Sequence, residues 1–235
     1  ELPMNKDIKI MIELQAFWQV ILQERKNIER FNKSIDFWKT ELVGKKNART
    51  EIQSRIMELK NRQKTGELEL HVSEEKIKKL EHKKTIIQTQ KEFSAVDNEI
   101  TTVRAEKNAL EDSIIVLMDL IDTEEKTLAS IDAELPAMEK QVGNDIEMLK
   151  SDIDKSEEII KLNQAHFDAL IKDLNPALQG KFSKLLNSKN GIAIAEVSGD
   201  VCTGCNFVIP AALTLDATKS DKTINCTNCG RYIYK

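Results

Sequence analysis

The sequence predicts a mainly α protein in which a long antiparallel coiled-coil hairpin is followed by a small β domain. Three observations carry that expectation. Charged residues make up 31% of the 235 positions and aromatic residues 5%, the balance of long helices rather than of one packed core. Apolar residues recur at alternating spacings of three and four along two stretches of similar length. Five of the eight glycines and all four cysteines lie after Gln179, which confines turns and thiols to the C-terminal part.

The first helical stretch begins at Leu14. A three-four walk through Phe17, Ile21, Ile28, Ile35, Trp38, Ile52, Ile56 and Leu59 to Leu70 finds apolar residues at twelve of seventeen positions. That is the narrow seam of a coiled coil. A second walk runs from Ile100 through Val103, Ile114, Leu117, Ile121 and Ile131 to Leu149, with twelve of fifteen apolar. The two phases do not join across "TIIQTQKEFSAVDNE", so a turn is expected near 86–96 and a hairpin over residues 1–174. At 1.5 Å per residue each arm would be roughly 120 Å long.

Charge supports the pairing of the arms. Residues 1–88 carry 19 Lys/Arg against 14 Asp/Glu, and residues 91–174 carry 9 against 21. With the turn centred near residue 90, the basic run Arg25–Arg49 faces the acidic run Asp132–Glu158. Charges flanking a seam set partner and orientation. Pro136 lies inside the second walk, opposite Gly44, and either kinks or ends its helix. A kink matched at Gly44 would bend both arms at one level. At the turn, Phe93 is the one aromatic between Trp38 and Phe167. It reads either as a contact point, together with Glu92, or as the apolar plug of the hairpin's end.

A basic helical neck is expected over 175–190, with Pro176 at its start and Gly191 at its exit. It holds Lys181, Lys184 and Lys189 and no acid, a solvated face or a weak nucleic-acid contact. Residues 191–235 open with the strand-like "GIAIAEV". Cys202 and Cys205 then form one CxxC pair and Cys226 and Cys229 another, twenty residues on. That spacing matches a structural zinc ribbon, in which two tight turns deliver four thiolates to a tetrahedron. Disulfides or a redox couple are the alternatives, and the second would want a thioredoxin-like βαβ context that is missing. Asn206 and Gly230 follow the two pairs, and both tolerate the left-handed backbone such turns favour. Four cysteine ligands leave no position for water or substrate, so one structural Zn2+ is expected. A segment of this size with few large apolar groups depends on that metal for stability.

Other functions are disfavoured. The three histidines, His71, His82 and His166, lie apart without a partnered nucleophile, and no glycine-rich phosphate loop is present, so an enzyme is not expected. No stretch approaches a membrane span. The start lacks the order of a secretory signal and does not begin with Met. Cysteine usage suits a reducing cytoplasm. From Gly191 onward, Lys219, Lys222, Arg231 and Lys235 balance Glu196, Asp200, Asp216 and Asp221. The ribbon therefore offers little phosphate neutralisation. Phe207, Val208, Ile209, Tyr232 and Tyr234 suit either a protein-binding surface or the ribbon's own core. The seam is also compatible with a homodimer.

Over essentially its full length the chain resembles the bacterial family that joins a coiled-coil hairpin to a C4-type zinc ribbon. "TQKEFSAVDNEI" is similar to that family's Lys-Glu-aromatic tip, and "CTGC…CTNCGRYIY" to its CxxC…CPxCGRxLY ending. Thr227 stands where the family often has Pro, and Tyr232 where it often has Ile. The resemblance implies an adaptor or chaperone-like protein that binds sigma-54 or components of flagellar and type III secretion systems. Protein contacts at Glu92, Phe93 and Phe207 fit that role. The alternative is a nucleic-acid-binding regulator that uses the ribbon and the neck lysines.

Overall fold

The computed structural model describes residues 4–219 and 222–235, with backbone alone at 218 and 219. Asp221 and the Lys219 side chain, both counted in the ribbon's charge, thus lie outside the described residues. The elements run α1 (Lys6–Ile86), α2 (Gln90–Leu170), a 3-10 turn (Ile171–Asp173), α3 (Pro176–Ser188), β1 (Ile194–Ser198), β2 (Val201–Cys202), β3 (Phe207–Val208), α4 (Ala211–Lys219), β4 (Ile224–Asn225) and β5 (Tyr232–Tyr234). Among the described residues no helix is long and apolar enough to cross a membrane.

The two long helices pack as a hairpin, and the three-four walks identify their contact line. Every position of the second walk is buried or half-buried, as is every position of the first except Trp38. That indole turns outward and lies edge-on to Phe37, ring centres 5.2 Å apart. The connection is narrower than the break in the apolar pattern suggested. It spans only residues 87–89, because α2 has already begun at Gln90. Thr89 and Glu92 explain the early start. The Thr89 hydroxyl donates to Glu92 Oε2 at 2.7 Å, and the Glu92 N–H points back to Thr89 Oγ1 at 3.4 Å. The Thr89 hydroxyl thus caps the Glu92 amide, one of the donors that a helix start otherwise leaves unpaired, while the Glu92 carboxylate holds that hydroxyl in place. Helix α2 also continues through Pro136, so that proline does not end it.

The chain divides into two compact units, one of Phe37–Asn144 and one of Glu1–Asp36 with Asp145–Lys235. In the first, opposite charges join the arms: Lys45 to Glu134, Lys46 to Glu139, Arg49 to Asp132, Arg55 to Glu124, Lys60 to Glu125, Arg104 to Glu81 and Lys84 to Asp97. The two members of each pair lie at distances from residue 90 that differ by at most five residues, as expected for a turn centred there. Exposed pairs of this kind specify register more than they stabilise.

The second unit gathers the start of α1, the end of α2, the neck helix and the ribbon around one core. Met11, Leu14, Leu174, Phe182, Leu186, Ala193, Ile194 and Tyr232 are all buried in it. The neck helix begins at Pro176 behind Asn175, whose side chain accepts from the Ala177 N–H. Its exit passes through Asn190 and Gly191, both with positive φ. A Cβ at Gly191 would stand 2.5 Å from Leu22 Cδ1, so glycine here answers both to the backbone and to close packing on α1. The ribbon's five strands take the order β3-β2-β1-β5-β4. The central pair β1–β5 is parallel and all other pairs are antiparallel. Helix α4, which the sequence reading did not anticipate, crosses between β3 and β4, its first turn closing on the Pro210 carbonyl.

Candidate metal centre

Each cysteine pair is held by a tight turn. After β2, the Cys205 and Asn206 N–H groups both donate to the Cys202 carbonyl, at 3.3 and 2.8 Å. Before β5, the Gly230 N–H donates to the Cys226 carbonyl at 2.9 Å. Asn206 (φ 57°) and Gly230 (φ 74°) leave these turns in the left-handed region, as their residue types led one to expect. The turns also aim backbone N–H groups at sulfur. Gly204 and Cys205 donate to Cys202, Asn228 and Cys229 to Cys226, and Arg231 to Cys229. Such donors favour thiolates.

Strand pairing brings the two turns face to face. The Cys202 and Cys229 sulfurs lie 4.0 Å apart and those of Cys205 and Cys226 3.8 Å apart. All four sulfurs fall within 4.8 Å of one another. Ligands at about 2.3 Å from a tetrahedral Zn2+ stand about 3.8 Å from each other. The observed spacing therefore fits the metal, whereas a disulfide needs about 2.05 Å. Among the described residues this is the one cluster of three or more potential ligands.

The thiols differ in their surroundings. Burial pushes Cys202 up to about 12 against the pull of its N–H donors, and burial likewise raises Cys226. At Cys229 burial is outweighed by the Arg231 N–H and guanidinium, and the thiol is lowered to about 7. Zn2+ holds all four as thiolates and fills its coordination sphere with them, which makes its contribution structural.

Arg231 corrects the sequence reading. It was counted among the ribbon's surface charges, yet it is buried, 8% exposed. Its Nε donates to the Ile192 carbonyl at 2.8 Å and its Nη2 to the Lys189 carbonyl at 3.3 Å. The guanidinium thus ties the second cysteine turn to the exit of the neck. Gly204 makes room for it, since a Cβ there would come within 2.8 Å of Arg231 Cδ. The strand β1 is completed from the other side by Gln15 of α1. Gln15 accepts from the Ala193 and Ile194 N–H groups at 2.7 and 2.9 Å and donates to the Ile194 carbonyl at 2.9 Å.

The residues proposed for partner contacts separate into distinct environments. Phe207 and Val208 form the edge strand β3 and are exposed, 54% and 65%. Ile209 and Tyr232 belong to the core, and Tyr234 is half-buried. Lys181 donates to Asn225 at 2.8 Å and lies 5.3 Å from the Tyr232 ring centre, so it holds the neck on the ribbon. Lys189 supplies the C-cap of α3. Lys184 is exposed. Glu92 and Phe93 belong to the other unit, at the hairpin's turn.

Residues 201–233 match the C4-type zinc ribbon domain family. A sequence search of curated proteins returns no match. Among solved structures, the chain is similar to CT398 from Chlamydia trachomatis, with 21% identity, 97% of each chain covered and a TM-score of 0.85. It is also similar to the HP0958 protein from Helicobacter pylori, with 18% identity, 99% of this chain and 98% of that one covered, and a TM-score of 0.71. A protein from Mycobacterium smegmatis matches at 13% identity, covering 99% of this chain and all of the other, with a TM-score of 0.57. These likenesses establish the fold over nearly the whole chain, hairpin and ribbon together.

Proposed function

We propose that this protein is a non-enzymatic adaptor whose zinc-folded ribbon presents an apolar edge to a protein partner. The observation that supports this most directly is β3. It lies at the edge of the sheet and begins two residues after Cys205, and both of its side chains, Phe207 and Val208, face solvent. An apolar edge strand held rigidly by a metal site suits docking of another chain. The absence of an open ligand position in a four-cysteine site agrees with a binding role rather than a catalytic one. The partners that the family resemblance points to are sigma-54 and components of type III or flagellar-type secretion, in the cytoplasm.

The test is a pull-down from native cell extract with the full zinc-loaded chain, beside a Phe207→Ser/Val208→Ser variant. Proteins retained at moderate salt by the first and lost by the second support the adaptor. Recovery of nucleic acid alone, falling steeply as salt rises, would transfer the function to the nucleic-acid reading. That reading rests on few free charges, because Arg231 is buried and Lys181 is engaged within the unit.

A further inference from the structure

The turn of the hairpin carries a surface that the ribbon's proposed role does not use. Residues 76–97 hold six lysines against Glu81, Glu92 and Asp97, in a chain whose net charge is −4. Lys76, Lys78 and Lys84 each pair with an acid. Lys83 and Lys91 are exposed and have no ion-pair partner among the described residues. Between the helix ends lies an open hollow of about 620 Å3, lined by Lys83, Ile86, Ile87, Glu92, Ala95 and Val96 among others. Ile86 stands on its rim, 65% exposed. That volume lies within the range of built ligand sites, roughly 300–1,000 Å3.

The hollow is formed before anything enters it. The three-residue connection and the Thr89 cap fix the start of α2. Phe93 is held beneath the Lys84 ammonium, 4.7 Å from the ring centre, while Lys84 also pairs with Asp97. Glu92 is the one acid lining the hollow, and its carboxylate is already engaged by the Thr89 hydroxyl at the positive end of α2. An apolar floor with the unpaired Lys83 ammonium in its lining, and the exposed Lys91 on the first turn of α2, is complementary to one kind of peptide. We infer that the tip binds a short acidic amphipathic helix, its apolar face in the hollow and its carboxylates against Lys83 and Lys91. A concave site with a carboxylate in its lining suits a helix better than a flat anionic membrane. The inference stands apart from the ribbon's proposed role, since it concerns the other unit.

A display library of helical peptides about 16 residues long, apolar at i, i+4 and i+7 and randomised elsewhere, would be selected against the zinc-loaded full chain. The expected result is enrichment of Asp and Glu at the randomised positions. Affinity of the selected peptides should fall at least about tenfold on Lys83→Glu and, separately, on Ile86→Ser. Circular dichroism on the two exposed-site variants checks that the helices are intact. Selected peptides without acidic enrichment, or equal binding by both variants, would overturn the inference. So would tighter binding to phosphatidylserine vesicles or to a single-stranded RNA oligomer, lost in the same variants.

Discussion

Replacing Gln15 by alanine is the sharpest test of how the ribbon is held. Its amide occupies the place of a neighbouring strand beside Ala193 and Ile194, which are 0% and 1% exposed. The substitution removes three hydrogen bonds in one step. At a net 0.5–1.5 kcal/mol each, the loss comes to about 1.5–4.5 kcal/mol, tending to the upper end if water cannot reach the freed groups. Guanidinium unfolding of the zinc-saturated protein measures the total. Hydrogen exchange at the Ala193 and Ile194 amides localises it. Gln15→Glu keeps the acceptor and loses the donor to Ile194, so its cost should be intermediate. A Gln15→Ala protein within about 0.5 kcal/mol of the parent, with both amides still protected, would refute the reasoning.

Other outcomes are equally concrete. Gly44→Ala and Gly143→Ala meet nothing within 4 Å and should each raise hairpin stability by about 1 kcal/mol. Gly191→Ala, at φ +77° and against Leu22, should lower that of the other unit by at least about 1–2 kcal/mol in thermal unfolding. Thr89→Ala should cost about 1 kcal/mol through the lost cap, and exchange of the Glu92 and Phe93 amides would show it. Zinc uptake at pH 7 should release nearly four protons, because the thiols of the unfolded metal-free ribbon titrate near the ordinary cysteine value of about 8.5. The sign follows from the thiols. Protonation competes with the metal, so zinc-linked stability falls as pH drops, and the proton count should rise towards four below pH 7. Calorimetry in buffers of different ionisation enthalpy gives that number. Zinc removal by a chelator should unfold the ribbon while most of the helical circular dichroism of α1 and α2 persists.

The parts of this structure that were legible in the sequence are those written locally. The seams follow a three-four period, and their burial depends on little beyond it. The cysteine turns need two residues between thiols and a left-handed residue after them, all visible within five positions. The cap at Thr89 is just as local, in the three-residue spacing of Thr89 and Glu92, but the expected turn over 86–96 ran across it. That cap gives Glu92 a structural task at the position read as a partner contact. What could not be read depends on distant segments. Nothing around Gln15 marks it as a strand's partner, since the backbone it serves lies 178 residues away. Arg231 looks like a surface charge until the neck carbonyls at Lys189 and Ile192 are placed beside it. Phe207, Ile209 and Tyr232 have similar apolar character. The sheet order alone decides that the first is exposed and the others are core.

The bond between Gln15 and β1 also bears on how the protein is made. Residues near the beginning of α1 leave the ribosome long before Ile194 is added to the chain. Until then Met11 and Leu14 lack the apolar groups they finally cover, and Gln15 lacks the backbone it completes. A product released early, anywhere before the ribbon, would keep that patch open to chaperones and proteases. A chain that has reached the second cysteine pair closes it. The same amide that finishes the sheet thereby couples the fate of α1 to the arrival of the ribbon strands.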